Sequence, residues 1–207
     1  MLNILPSTYL GNVQYFTKLL SGEYVIDLHE HYVKQSYRSR TRIMTSGGPT
    51  DIVVNTVKGS NFNKPTVKDT RIDYTKRWQH AHRISLVSAY GGSPYFSHYW
   101  DRLAPFFTRH YDFLADLNTD LTVTLLELLG IKKELKFSEK YVDAAELTAE
   151  GVDFTDFRSA LSPKPRLMRP DPAFRPEPYW QVFSDRFPFE SNLSVVDLLF
   201  CEGPGAT

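Results

Sequence analysis

One cysteine, Cys201, occurs in the 207 residues, so no internal disulfide can brace this chain. Charge of one sign is also missing: 24 Lys and Arg face 24 Asp and Glu, and the formal net charge is zero. Proteins held on nucleic acid or anionic lipid mainly by long-range attraction need a broad basic excess, so neither partner is expected. No apolar run approaches the roughly 20 residues of a membrane span. The opening "MLNILPSTYLGN" lacks the basic flank and apolar stretch of a secretory signal. A Walker loop, G-x-G-x-x-G and G-x-S-x-G are all absent, which sets aside motif-bearing nucleotide hydrolases, Rossmann dehydrogenases and serine hydrolases. The expectation is a cytoplasmic globular protein. With 42% hydrophobic and 14% aromatic residues it can bury one substantial core, so residues 1–207 read as a single domain.

Periodicity supplies the organisation. "LNIL" is a short apolar run stopped at Pro6 and Ser7. "NVQYFTKLLSG" puts Val13, Phe16, Leu19 and Leu20 on one helical face, and "EYVIDL" is rich in strand formers. That is a β-α-β rhythm. "SRTRIMT" and "DIVVNTV" form a hairpin candidate around "SGGPT", and a loop rich in Asn, Lys and Gly follows over residues 58–66. From Trp78 to Ile131 the pattern is helical, with Pro105 starting or kinking a turn. "KKELKFSEKY" reads as an edge strand. Residues 162–178 hold six of the thirteen prolines, which fits an extended arm or lid, or a linker, but no regular element. "SVVDLLF" near the end is a helix with Ser194 as cap and Asp197 three residues on. The fold class is α/β: a small mixed sheet with the N-terminal β-α-β unit and a packed helical segment.

Three constellations carry chemistry. The stretch "HEHYVKQSYRSRTRI" (29–43) gathers two histidines, a lysine and three arginines in a chain with no overall basic excess. Were "SYRSRTRI" a strand, Arg38, Arg40 and Arg42 would share one face. Such a row suits a phosphate or carboxylate, with Lys34 adding a point charge; the alternative is an exposed face paired with scattered acids. Two H-x-H pairs, His29 with His31 and His80 with His82, have spacing that allows zinc ligation on a strand. Tyrosines, Trp78 and Gln181 form a third group, suited to stacking and orienting a sugar or base where they are not simply core. Asp197 inside an apolar helix requires an arginine partner or a polar cleft, and Cys201 reads as a small buried hydrophobe.

Taken together, "YLGNVQYFTKL", "YVKQSYRSRTRI", "VKDTRIDY" with "WQHAH", "SAYGGSPYF", "DLNTDL", "LLELLGI" and "NLSVVDLLFCEGP" resemble the WbqC-like protein family, in particular its shorter Bacteroidetes members. The resemblance implies a role in assembling surface polysaccharide of the O-antigen kind. Many relatives have a histidine where this chain has Leu5, and an acidic pair where it has Leu28 and His29, so the chain departs from the family pattern at those positions. Of the paired histidines only His82 matches the family pattern, so neither metal nor cofactor is expected.

The resulting expectation is a transferase acting on a nucleotide-linked or lipid-linked sugar, its partner being a small phosphorylated sugar or nucleotide sugar. Lys34, Arg38 and Arg40 would hold the diphosphate. Tyr9, Tyr32, Trp78 and Tyr90 would line the sugar or base site, Gln181 and Asp197 would border the cleft, and His82 would move the proton. The alternative is a non-catalytic anion-binding or scaffold protein using the same cleft.

Overall fold

The computed structural model describes residues 1–58, 64–164, 166 and 168–206. Most of the expected 58–66 loop, and Pro165 and Leu167 of the proline-rich segment, therefore lie outside the described residues. Strand β1 (Leu2–Pro6) is the centre of a three-stranded parallel sheet, flanked by β2 (Glu23–Asp27) and β5 (Phe154–Asp156). Leu2 pairs with Glu23 and Pro6 with Asp27 on one side, while Leu2 pairs with Phe154 and Ile4 with Asp156 on the other. Helix α1 (Val13–Leu20) joins β1 to β2, as the periodicity predicts. Asn12 caps it, its side chain accepting from the Tyr15 amide, and Gly22 at φ +76° makes the turn into β2. The β-α-β unit and the α/β class stand as expected. The mixed pairing is divided between this parallel sheet and a separate antiparallel hairpin.

That hairpin is β3 (Arg40–Thr45) and β4 (Gly48–Val53). Its turn is tighter than the sequence suggests: Thr45 pairs with Gly48, so Gly48 and Pro49 belong to the second strand. Helices α2 (Trp78–Tyr90), α3 (Phe96–Leu103) and α4 (Leu114–Leu128) form the helical segment, with a 3-10 turn starting at Ala104 next to Pro105. "KKELKF" contributes one parallel bridge, Ile26 with Phe137, at the outer edge of β2, so the expected edge strand is only a contact. Helix α5 (Ala144–Ala149) and strand β5 have no counterpart in the sequence reading. The last helix, α6 (Val195–Glu202), packs on α1 and α3.

One hydrophobic cluster runs from Leu5 through Leu86 and Leu121 to Phe200, so the two ends of the chain share a core. Backbone hydrogen bonds tie them together: Val13 donates to Leu193, and Val195 donates to Gly11. Leu10, buried and at φ +43°, is a strained position for a branched side chain. Its carbonyl accepts from the hydroxyls of Thr41 and Ser194, each at 2.8 Å, so the hairpin and the C-terminal helix both hold that conformation in place.

Candidate functional site

Side chains from beyond the carboxyl ends of the two outer parallel strands, β2 and β5, meet in one cleft, the region where open α/β sheets place ligands. Asp27 ends β2, Asp156 ends β5, and Arg158 follows two residues later. Arg158 donates to the buried Asp27 carboxylate at 2.6 Å and to Asp156 at 2.7 Å. Asp27 also accepts from the amides of His29 and Val142 and from the Ser138 hydroxyl. A second pair lies alongside. Arg38 donates through Nε to Glu30 at 2.8 Å and through Nη2 to the other Glu30 oxygen, and it bonds the Arg158 carbonyl at 2.9 Å. Arg38 and Glu30 are both buried.

The cleft has a volume of about 390 Å³, within the range usual for small-molecule sites. Lys34 and Lys164 stand at its rim, and Tyr141 and Ser162 also line it. Among the described residues neither lysine has a carboxylate partner. Four cations therefore face three acids when Asp27 beneath the surface is counted. Burial pushes the Glu30 carboxyl up to about 7, with Arg38 only partly offsetting it. Burial alone would raise Asp156 too, but its hydrogen bonds to Arg158 outweigh that and hold it below the usual carboxylate range.

Of the ten residues expected at the site, Lys34 and Arg38 line this cleft. The expected arginine row does not form. The chain turns at Gln35, which has φ +57°, and β3 begins only at Arg40, so Arg38 falls outside the strand's alternation. Arg40 and Arg42 do share a face, but both donate to Asp51 on β4, at 2.8 and 2.9 Å. Tyr32 is half-buried, its hydroxyl 2.6 Å from that of Ser39.

His82 lies in the core. The Tyr9 hydroxyl is 2.9 Å from Nδ1, the Val53 carbonyl takes the other hydrogen bond, and the Trp78 ring lies edge-on at 5.2 Å. This network fits a neutral ring that accepts from Tyr9 and donates to Val53. Burial lowers its pKa to about 4. Tyr9 and Trp78 are likewise buried and out of the cleft.

Tyr90, Gln181 and Asp197 form a third, separate network. Asp197 is fully buried, yet among the described residues no arginine reaches it. It accepts from Tyr90 at 2.7 Å, Tyr179 at 2.6 Å and Gln181 at 3.2 Å. Ser194 caps α6 as expected, its side chain accepting from the Val196 amide, while the Asp197 carboxylate turns inward and the Ser194 amide donates to the Arg42 carbonyl instead. Gln181 also exchanges hydrogen bonds with the Glu190 backbone, so it fastens the 179–190 segment to α6 rather than bordering a cleft. Cys201 is buried, and burial raises its thiol pKa.

The proline-rich segment runs across α1. Asp171 accepts from Lys18 at 2.7 Å and from Gln14 at 2.8 Å, and Lys18 is buried by it. Near its start, Ser162 and Lys164 reach the cleft. Among the described residues no group of three His, Cys, Asp or Glu side chains is placed to hold a metal ion, and no helix is long and apolar enough to cross a membrane.

Glu30, Tyr141, Arg158 and Lys164 are cleft residues that sequence reasoning missed. Glu30 stood in plain view within "HEH", while the others come from distant loops whose meeting no local spacing announces.

Fold and cleft define an α/β protein with an ion-paired site at the ends of parallel strands. The chain belongs to the WbqC-like protein family, whose sequence model matches residues 7–157. That span includes Asp27, Glu30, Lys34, Arg38, Tyr141 and Asp156, and it stops short of Arg158, Lys164 and the C-terminal helix. A curated relative, the uncharacterized protein Rv1507c of Mycobacterium tuberculosis, is 33% identical over 141 residues, which is 67% of this chain. The match spans 60% of that relative's length. No solved structure matches.

Proposed function

We propose that this protein is a transferase of surface-polysaccharide biosynthesis, acting in the cytoplasm on a nucleotide-linked or lipid-linked sugar whose phosphates enter the Lys34–Lys164 cleft. One observation carries the reading: a buried carboxyl, Glu30, which burial raises to about 7, lines the same cleft as the ammonium groups of Lys34 and Lys164, beyond the carboxyl ends of the parallel strands. Lys34 and Lys164 supply charge to phosphate oxygens. Arg38 and Arg158 keep the neighbouring acids in place. Glu30, near its midpoint at neutral pH, can both release and accept a proton, which is what a general acid–base group needs. His82 is poorly placed for that task. With its pKa near 4, about one molecule in a thousand is protonated there at pH 7, and the ring sits in the core.

The test is binding and turnover with a panel of nucleotide sugars and polyprenyl-phosphate sugars. Lys34→Ala and Lys164→Ala should each weaken the bound anion about five- to tenfold. Glu30→Gln should retain binding while abolishing transfer. If no phosphorylated sugar raises the melting temperature or binds by calorimetry, the proposal fails.

A second reading, non-catalytic binding, draws on the fact that Arg38 and Arg158 already have carboxylate partners and so hold acids in place of ligand. Binding without turnover in the wild-type protein would select it.

A further inference from the structure

We propose that Tyr141 is a base-stacking platform and that the ligand of the cleft is therefore nucleotide-linked, a nucleoside diphosphate sugar rather than a lipid-linked one. The inference rests on reading the cleft as a phosphate site and deepens it. Tyr141 lines the cleft while leaving half of its surface open, 50% by exposure. A lone exposed tyrosine is ordinary. This one is held on one face: the Arg158 guanidinium carbon lies 4.9 Å from its ring centroid. The backbone next to it is pinned on both sides, because the Val142 amide donates to Asp27 and the Val142 carbonyl accepts from Arg158. The ring is thus held by the same charges that build the cleft floor.

The guanidinium also sets what the open face prefers. A cation on one face draws electron density from the ring. That weakens the attraction of sugar C–H groups, which favour an electron-rich face, and favours a flat electron-rich heterocycle. A polyprenyl chain would need a long continuous apolar trough, whereas here the apolar residues Val33 and Leu161 are interspersed with two lysines, two arginines and two acids. A base on Tyr141 with its phosphates toward Lys34 and Lys164 uses the surface that is present.

Calorimetry on the full chain at fixed low salt, with UDP, GDP, dTDP and pyrophosphate as probes, tests this. Tyr141→Ala should weaken the best-bound nucleotide about tenfold or more while leaving pyrophosphate within about twofold. Tyr141→Phe should restore nucleotide binding to near the wild-type value. If Tyr141→Ala leaves nucleotide and pyrophosphate equally affected, or both unchanged, while Lys34→Ala and Lys164→Ala still weaken them, the stacking role is wrong and the anion site stands. If the wild-type chain binds neither pyrophosphate nor any nucleotide, the anion site itself is wrong and this inference falls with it.

Discussion

Acid should unfold this protein partly through His82, and the size of the effect follows from its surroundings. The ring is neutral in the folded core, with a pKa near 4 against an ordinary value of 6.5. A base whose folded pKa is depressed adds stability that is fully present above its unfolded pKa and is lost as pH falls through the folded one. At about 1.4 kcal/mol for each pH unit between those two values, acidification from about pH 6.5 to below 4 removes about 3 kcal/mol. That is a large share of the roughly 5–15 kcal/mol that domains possess. Replacing the ring with an amide, His82→Gln, should cost about 1–3 kcal/mol at pH 7.5, because Tyr9 and the Val53 carbonyl lose well-placed partners. The variant cannot take up the proton. Its deficit should therefore shrink, and vanish or reverse by pH 4. Urea titrations of both proteins at several pH values, followed by tryptophan fluorescence, measure the gap, and other titrating groups cancel in the difference. Trp78, edge-on to the ring, gives a second signal. Parallel stability curves for the two proteins would refute the reasoning, as would an NMR titration of His82 with a midpoint near 6.5.

Asp197→Asn should destabilise the fold by about 1–3 kcal/mol in urea denaturation, because an amide cannot accept from Tyr90, Tyr179 and Gln181 together; anion affinity should not change, since no arginine depends on that carboxylate. Removing residues 192–207 deletes Leu193, Val196, Leu199 and Phe200, all fully buried. At about 1.5–3 kcal/mol each, their loss should leave no cooperative unfolding transition by circular dichroism, and an unchanged melting temperature would contradict the packing. Gly203→Ala puts a Cβ 2.5 Å from the Tyr95 ring at φ +56°, so the melting temperature should drop by several degrees, consistent with about 2 kcal/mol. Lys18→Met leaves the Asp171 carboxylate without its ammonium partner, and limited proteolysis should cut the 162–178 segment faster than in wild type.

Elements with a strong period were legible in the chain. Val13, Phe16 and Leu19 announced α1, and the apolar runs on either side announced β1 and β2. Strand β5 was not legible, because a three-residue strand carries too few alternations to register and is defined by its partner, β1. The arginine row fails for a local reason: alternation read over residues 36–43 starts too early, because the left-handed Gln35 and the turn after it delay the strand to Arg40. Asp197 was correctly marked as a buried acid needing partners. The partners are two tyrosines and a glutamine in place of an arginine, and nothing in the spacing distinguishes those solutions. The cleft was half legible. Lys34 and Arg38 lie in one basic stretch, but Arg158 and Lys164 are more than 100 residues away, and only the parallel pairing of β1 with β5 brings them together.

The zero net charge of the chain and a cationic cleft are compatible once the arginines are followed to their partners. Glu30 with Arg38, and Asp27 and Asp156 with Arg158, join the end of β2, the 34–39 turn and the end of β5. Buried pairs of this kind add little net stability, because desolvation offsets their attraction, yet removing one partner costs about 3–5 kcal/mol through the charge left behind. Their effect is to fix geometry. The two arginines offset two of the three carboxylate charges that would otherwise repel a phosphate from the strand ends, so the excess of positive charge at the cleft depends on Lys34 and Lys164 at the rim. Protonating Glu30 leaves Arg38 without its counter-charge and makes the floor more positive by one unit. Because burial pushes that carboxyl up to about 7, anion affinity should rise as pH falls from about 8 to 6, in the same interval where Glu30 changes its capacity to give or take a proton. Calorimetric affinities for pyrophosphate across that range, compared with Glu30→Gln, would show the dependence in the wild type and a flatter profile in the variant once the probe's own titration, common to both, is subtracted. Equal profiles would mean that Glu30 is ionised throughout and acts only as the partner of Arg38.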